Sequence, residues 1–335
     1  MVEDKPIVVV TGVSGYIGCH VFKKFLDDGS FRVIGTVRDK DNAERLAPMK
    51  KLLGEDIELR NADLLNADSI DKAVEGATYL VHVASPVSLV CENSEDLIKP
   101  AVEGTMAALR AAHKHGVKRV VVTSSIAAIN TELLPLPDLI TEESWSNEPR
   151  MRENELKNAY FLSKTMAERA AWAYHHSLPE AERFDLCTIC PGIVLGKALL
   201  GYGFFSGDFM NWTMMGVMGG TAEGPLPLVE VETVADAHLK CIKVAEAANK
   251  RYILSHSTWY PNEMAKVLHA EFASKGWPVK DGLCEDNKQA MINWSRERSE
   301  KVLGIEYVPD FGKVMVDMTA HMIELGHLKN AAKTE

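Results

Sequence analysis

Tyr160 and Lys164 stand four residues apart in a stretch with helical periodicity, so both side chains lie on one face of the helix that the pattern predicts. An ammonium beside a phenol favours the phenolate and draws the tyrosine pKa down from its ordinary value of about 10. A tyrosine tuned in this way can give a proton to a carbonyl oxygen and take it back in the reverse direction. Ser124 and Ser125 follow the apolar run Val117 to Thr123, which reads as a strand. One of these two hydroxyls, at such a strand end, can donate to a developing alkoxide. A tyrosine four residues ahead of a lysine carries little information alone, since many surface helices contain one. Its meaning comes from the groups that accompany it and from their order.

The first of those groups is Thr11-Gly12-Val13-Ser14-Gly15-Tyr16-Ile17-Gly18, directly after the apolar run Ile7 to Thr11 and directly before an amphipathic segment. Glycines at that place permit a tight turn and a close backbone approach to a diphosphate, and the helix start offers free N–H groups. Gly12, Gly15, Tyr16, Ile17 and Gly18 are therefore the expected diphosphate contacts of a dinucleotide. The second strand ends at Val37, and the first polar residue after it is Arg38. A guanidinium there suits the 2′-phosphate of NADP(H), with Arg45 in the next helix as its companion. Asp39, one residue on, keeps NAD open. Asp63, with Leu64, follows the third strand and is placed to accept from an adenine amino group. Val83, Ala84 and Ser85 follow the fourth and line the cofactor, Ser85 being counted with the substrate contacts as well. His82 is read as a packed strand residue, and Lys164 as a partner of the nicotinamide ribose.

These groups need a scaffold that brings strand ends together. The first half alternates short apolar runs with amphipathic stretches, the pattern of parallel βαβ units. Strands are expected at Ile7 to Thr11, Phe31 to Val37, Ile57 to Arg60, Tyr79 to Val83, Val117 to Thr123 and Phe184 to Cys190. Helices are expected at Tyr16 to Asp28, Asn42 to Leu53, Ser69 to Glu75, Glu95 to His115 and Glu155 to His176. Strands of mostly Val and Ile imply a sheet covered on both faces, an α/β doubly wound parallel sheet of Rossmann type. After Pro191 the chain becomes Gly-rich and Met-rich. Residues 1–191 with about 228–255 are expected to form the cofactor-binding domain, and 192–227 with 256–335 a smaller C-terminal substrate lobe. Aromatic and methionine side chains between 202 and 218, Phe204 and Met215 among them, suit an adaptable substrate wall; an ordinary packing helix explains them equally well.

The formal charge of −10 over 335 residues speaks against a nucleic-acid surface, which needs clustered Lys and Arg. No secretory leader pattern and no apolar run long enough for a bilayer is evident, so a cytoplasmic protein without membrane attachment is expected. The six cysteines are dispersed. Cys187 and Cys190 lie three apart in a strand, on opposite faces, which favours buried thiols over a redox pair. His113/His115 and His175/His176 lack the helical spacing for a shared metal, and no metal is expected. A monomer and a homodimer are equally compatible with the pattern.

Taken in order, the Gly12/Gly15/Gly18 turn, Thr36-Val-Arg-Asp39, Ala62-Asp-Leu64, His82-Val-Ala-Ser-Pro86, Thr123-Ser-Ser125, Tyr160-Phe-Leu-Ser-Lys164 and Pro191-Gly-Ile-Val-Leu-Gly196 resemble an extended short-chain dehydrogenase/reductase. The branch resembled holds dihydroflavonol reductases, cinnamoyl-CoA reductases and methylglyoxal and aldehyde reductases. The resemblance implies Ser125, Tyr160 and Lys164 as the catalytic triad, Pro191 at the nicotinamide and Asn130 as a substrate contact. Two departures stand out. The tyrosine helix lacks the motif usual in cinnamoyl-CoA reductases, and Val229-Glu-Val-Glu-Thr-Val-Ala235 replaces a segment that carries Arg and Asp in the branch. The expected activity is hydride transfer from NADPH to the carbonyl of a small aldehyde, ketone or dihydroflavonol-like substrate. A hydroxysteroid or sugar-nucleotide dehydrogenase/epimerase on the same triad, or a non-catalytic NADP-binding sensor, is the alternative.

Overall fold

A computed structural model describes residues 5–86, 91–133, 135–201, 205–216, 224–282 and 291–328. The strands are β1 (Ile7–Thr11), β2 (Arg32–Val37), β3 (Glu58–Asn61), β4 (Tyr79–His82), β5 (Arg119–Thr123), β6 (Asp185–Pro191), β7 (Ile193–Leu195), β8 (Leu226–Glu230), β9 (Lys250–Leu254) and β10 (Ser257–Trp259). The helices are α1 (Tyr16–Asp28), α2 (Ala43–Leu53), α3 (Ala67–Val74), α4 (Glu95–Lys114), α5 (Glu148–Arg152), α6 (Ala159–Ser177), α7 (Phe205–Met214), α8 (Val231–Lys243), α9 (Pro261–Phe272), α10 (Glu297–Lys301) and α11 (Phe311–Glu324).

Seven parallel strands form the main sheet in the order β3-β2-β1-β4-β5-β6-β9. The direction of winding reverses between β1 and β4, so the crevice at their carboxyl ends is where such a sheet takes a ligand. Alternating side chains split the strands between two cores. Val8 and Val10 of β1 join Phe22, Phe25 and the buried face of α8 on one side, while Val9 joins Leu80, Leu109 and Ala171 on the other. Cys187 and Cys190 take opposite faces as free, buried thiols.

A second, three-stranded sheet, β10-β8-β7, carries the remaining lobe with α7, α9 and α11. This corrects the expectation that the whole piece from about 228 to 255 rejoins the main sheet: α8 and β9 do, but β8 pairs with β7 and β10. Its Leu228 packs into the lobe's own core and its Val229 into the main one. Phe209, Met210 and Met214 are buried in that core as well, so packing explains these three of the aromatic and methionine side chains. Phe204 lies outside the described residues. No described helix is long and apolar enough to cross a membrane.

Two polar side chains tie α8 to the sheet. Arg119, at the start of β5, pairs with Asp185 at 2.9 Å and donates to the carbonyls of Cys241 and Val244 at the helix end. His238, in mid-helix, is fully buried; its Nδ1–H donates to the Val234 carbonyl at 2.7 Å, so its Nε2 accepts the Thr123 hydroxyl at 2.7 Å. Burial holds this ring's pKa down from 6.5 to about 4. A ring with a lower pKa folded than unfolded contributes stability that is present above the unfolded value and lost as pH falls toward the folded one. Denaturant midpoints are therefore expected to drop between pH 6.5 and about 4, with His238 contributing on the order of 3 kcal/mol. The His238→Gln variant should show a shallower drop, and an unchanged pH slope would remove His238 from the cause.

Candidate active site

Thr11 ends β1 and the chain turns at Gly12, whose φ of +72° favours glycine. A Cβ on Gly12 would stand 3.0 Å from the Cα and Cβ of Ala84, and one on Gly18 would stand 2.1 Å from the Gly12 carbonyl oxygen. Both positions therefore exclude a side chain. The Gly15 N–H returns to the Gly12 carbonyl at 2.9 Å, and α1 begins with no side-chain cap and no acidic residue in its first turn. The first N–H groups of a helix have no acceptor within it, and such a start suits a diphosphate. The Tyr16 side chain turns away, donating to the Gly196 carbonyl at 2.9 Å, while Ile17 packs on the first core.

Beyond β2, Arg38 is exposed with no ion-pair partner among the described residues. Arg45, also exposed, sits in the first turn of α2, its N–H bonded to the Asn42 side chain at 3.0 Å. The loop between them is held from within: the Asn61 side chain accepts the Lys40 N–H at 2.7 Å and the Asp39 carboxylate accepts the Asp41 N–H at 3.0 Å. Asp39 is thus already engaged in its own turn. Asp63 likewise accepts the Leu65 N–H at 2.9 Å, and Leu64 packs against Gly104 of α4.

Ser125, Tyr160 and Lys164 meet at the carboxyl edge of the sheet. Ser125 and Tyr160 are neighbours there, and the Ser125 oxygen accepts the Ala127 N–H at 3.1 Å. Lys164 lies one turn along α6, its Nζ 5.9 Å from the Tyr160 ring centre, and donates to the Ser85 hydroxyl at 2.9 Å. The pKa relation differs from the sequence expectation. Burial pushes the Tyr160 phenol up, and its neighbour Ser125 draws it partly back. The Lys164 ammonium is turned to Ser85, and burial lowers its own pKa to about 8. Val83 and Ala84 donate their N–H groups to the Thr11 hydroxyl, and Pro191 closes β6. Asn130 and Met215 are half-buried, Asn130 in the loop after Ser125 and Met215 just beyond α7.

Sequence reasoning missed the group that holds these elements together. Glu168, one turn after Lys164 on α6, is fully buried and accepts from Arg251 of β9 at 2.8 Å and from the Ser124 and Thr188 hydroxyls at 2.7 Å each. Arg251 in turn donates to the Glu142 and Ser144 carbonyls and lies 3.7 Å above the Trp145 ring. The helix that carries Tyr160 and Lys164 is thereby fastened to β5, β6 and β9. The i, i+4 step from Lys164 to Glu168 is visible in the chain; the 83-residue separation to Arg251 is not.

The profile of the NAD dependent epimerase/dehydratase family matches residues 8–198. Tetraketide alpha-pyrone reductase 1 of Arabidopsis thaliana is 31% identical, over 98% of this chain and 98% of that protein. Dihydroflavonol 4-reductase of Hordeum vulgare is 31% identical, over 92% and 86%. Among solved structures, Gre2 from Candida albicans in complex with NADPH superposes with a TM-score of 0.80 at 25% identity, covering 96% of this chain and 99% of that one. Alfalfa vestitone reductase (Medicago sativa) superposes with a TM-score of 0.78 at 25% identity, covering 97% and all of that chain.

The Glu168 to Arg251 pair gives a direct expectation for stability. Glu168→Gln leaves a guanidinium buried without its counter-charge and should cost about 3–5 kcal/mol in denaturant unfolding at neutral pH. A loss below about 1 kcal/mol, the range of an exposed pair, would show that the network is not a fastening.

Proposed function

Given that this chain belongs to the NAD dependent epimerase/dehydratase family, among the extended short-chain dehydrogenases/reductases, we propose that it reduces the carbonyl of a small aldehyde, ketone or dihydroflavonol-like substrate with NADPH. The observation that carries this reading is the meeting of Ser125 and Tyr160 at the carboxyl edge of the sheet, with Lys164 one turn along the same helix and bonded to Ser85 at 2.9 Å. NADPH, when bound, supplies the hydride. Tyr160 then gives the phenolic proton to the carbonyl oxygen, and its raised pKa keeps that proton in place at neutral pH. Ser125 donates to the same oxygen as negative charge grows on it. Lys164 and Ser85 hold the ribose side of the cofactor, and the Gly12 turn with the start of α1 holds the diphosphate.

The choice of NADPH over NADH is supported by Arg38, just past β2, and Arg45, in the first turn of α2, both exposed. A guanidinium pairs with a phosphate, whereas an acidic residue turned to the ribose would repel one. The NADPH complex of the similar Candida albicans protein points the same way.

Two outcomes follow. Tyr160→Phe should lower turnover by about 10² to 10⁴ in an assay of NADPH consumption while NADPH binding persists, and normal turnover would refute the assignment. Arg38→Ala should weaken NADPH by about tenfold, a loss of about 1.4 kcal/mol, and leave NADH nearly unchanged. Equal losses for both cofactors would overturn the 2′-phosphate contact.

A further inference from the structure

We propose that His82 is a positioning residue, not only a packed one: its Nδ1 accepts the Thr11 hydroxyl proton and thereby sets the turn at residues 83–86 against the Gly12 cradle and Lys164. This rests on the reading that the Gly12 turn and Lys164 hold NADPH. The deduction begins with the Thr11 oxygen, which has one hydrogen and two lone pairs. The Val83 and Ala84 N–H groups both donate to it, each at 3.0 Å. Its third contact is His82 Nδ1 at 3.1 Å. With both lone pairs occupied, the hydroxyl hydrogen goes to the ring, so Nδ1 is the acceptor and the ring proton sits on Nε2. The opposite tautomer would set a third donor against the same oxygen.

The ring is 3% exposed, and its Nε2 has no partner among the described residues. That tautomer leaves a buried N–H unpaired, a cost set against the Thr11 geometry that requires it, and the bond at Nδ1 alone orients the ring. Burial and the charge of Lys164 hold the ring neutral, with its pKa lowered to about 4, so Nδ1 stays an acceptor across the neutral range. Two site contacts depend on the turn that Thr11 holds. Ala84 fills the space beside Gly12, and Ser85 receives the Lys164 ammonium at 2.9 Å.

The test uses the difference between two amides. His82→Asn places an amide oxygen near the position of Nδ1 and keeps the acceptor; His82→Gln reaches toward Nε2 and loses it, and His82→Leu loses both. NADPH affinity is read by fluorescence titration of each full-length variant, alongside KM, kcat and a thermal melt. The Gln and Leu variants should bind NADPH about tenfold more weakly and the Asn variant within about threefold of wild type, with KM rising more than kcat falls. Equal affinity in the Asn and Gln variants, or wild-type affinity in the Leu variant, would overturn the proposal.

Should the His82 variants fail to fold, the same bond is read from its other end. Thr11→Ser should bind NADPH as wild type does and Thr11→Val more weakly, and equal binding by the two would count against it. In a folded Thr11→Val background the Asn/Gln difference should vanish, and its survival would again refute the idea. A wild-type chain that binds NADPH yet reduces no carbonyl sinks the proposed reaction and leaves this inference intact. A chain that binds no NADPH sinks both.

Discussion

A carboxylate with no exposure to solvent lies behind the candidate site, and the positions of the other groups follow from how it is satisfied. Glu168 receives a guanidinium from β9, a hydroxyl from β6 and the Ser124 hydroxyl just beyond β5. Arg251 draws its pKa below the usual carboxylate range, outweighing the opposite effect of burial. Low surrounding polarity makes each of these bonds strong and the loss of any one costly. Because α6 cannot slide along the sheet without breaking them, the turn that holds Tyr160 and Lys164 is fixed relative to Ser124, and so to its neighbour Ser125. The precision of the constellation comes from a group that touches neither cofactor nor substrate in the proposed reaction.

The same logic recurs at the strand ends. Arg119 collects the carbonyls at the end of α8, His238 links that helix to Thr123, and Thr11 collects two N–H groups beyond β4. A parallel sheet brings many polar backbone groups to its carboxyl edge, and each needs a partner if water is to be kept away. Short side chains meet that need locally and leave the space above the edge to a ligand. The polar residues of this edge thus divide into those spent on the fold, such as Ser124 and Thr188, and those turned to the crevice, such as Ser125 and Lys164.

How legible this was in the chain depended on the range of the interaction. Strands of Val and Ile separated by amphipathic helices identify the main sheet, because burial on both faces leaves a local pattern, and the glycine turn and the Tyr160 to Lys164 spacing are local as well. The small sheet was missed since β7 and β10 have three residues each, too few for alternation to register. The start of α6 at Ala159, where Glu155 was expected, follows from Asn158, whose side chain donates to the Met151 carbonyl and closes the preceding turns. Arg251 and Trp145 were silent because their meaning arises only when β9 lies beside β6.

The direction of the tyrosine's pKa bears on the chemistry that the site favours. A phenol lowered by an adjacent ammonium would be a base in waiting, suited to taking a proton from an alcohol. Here burial pushes Tyr160 up, and Lys164 is engaged with Ser85. The phenol therefore carries its proton at neutral pH, and in the proposed reaction the acid needed when hydride reaches the carbonyl carbon is present from the start. Loss of that proton creates a phenolate in a buried setting, which only the nearby cation and the Ser125 hydroxyl can offset. In the proposed reaction Lys164 is thus needed more for the tyrosinate left after transfer than for the tyrosine before it.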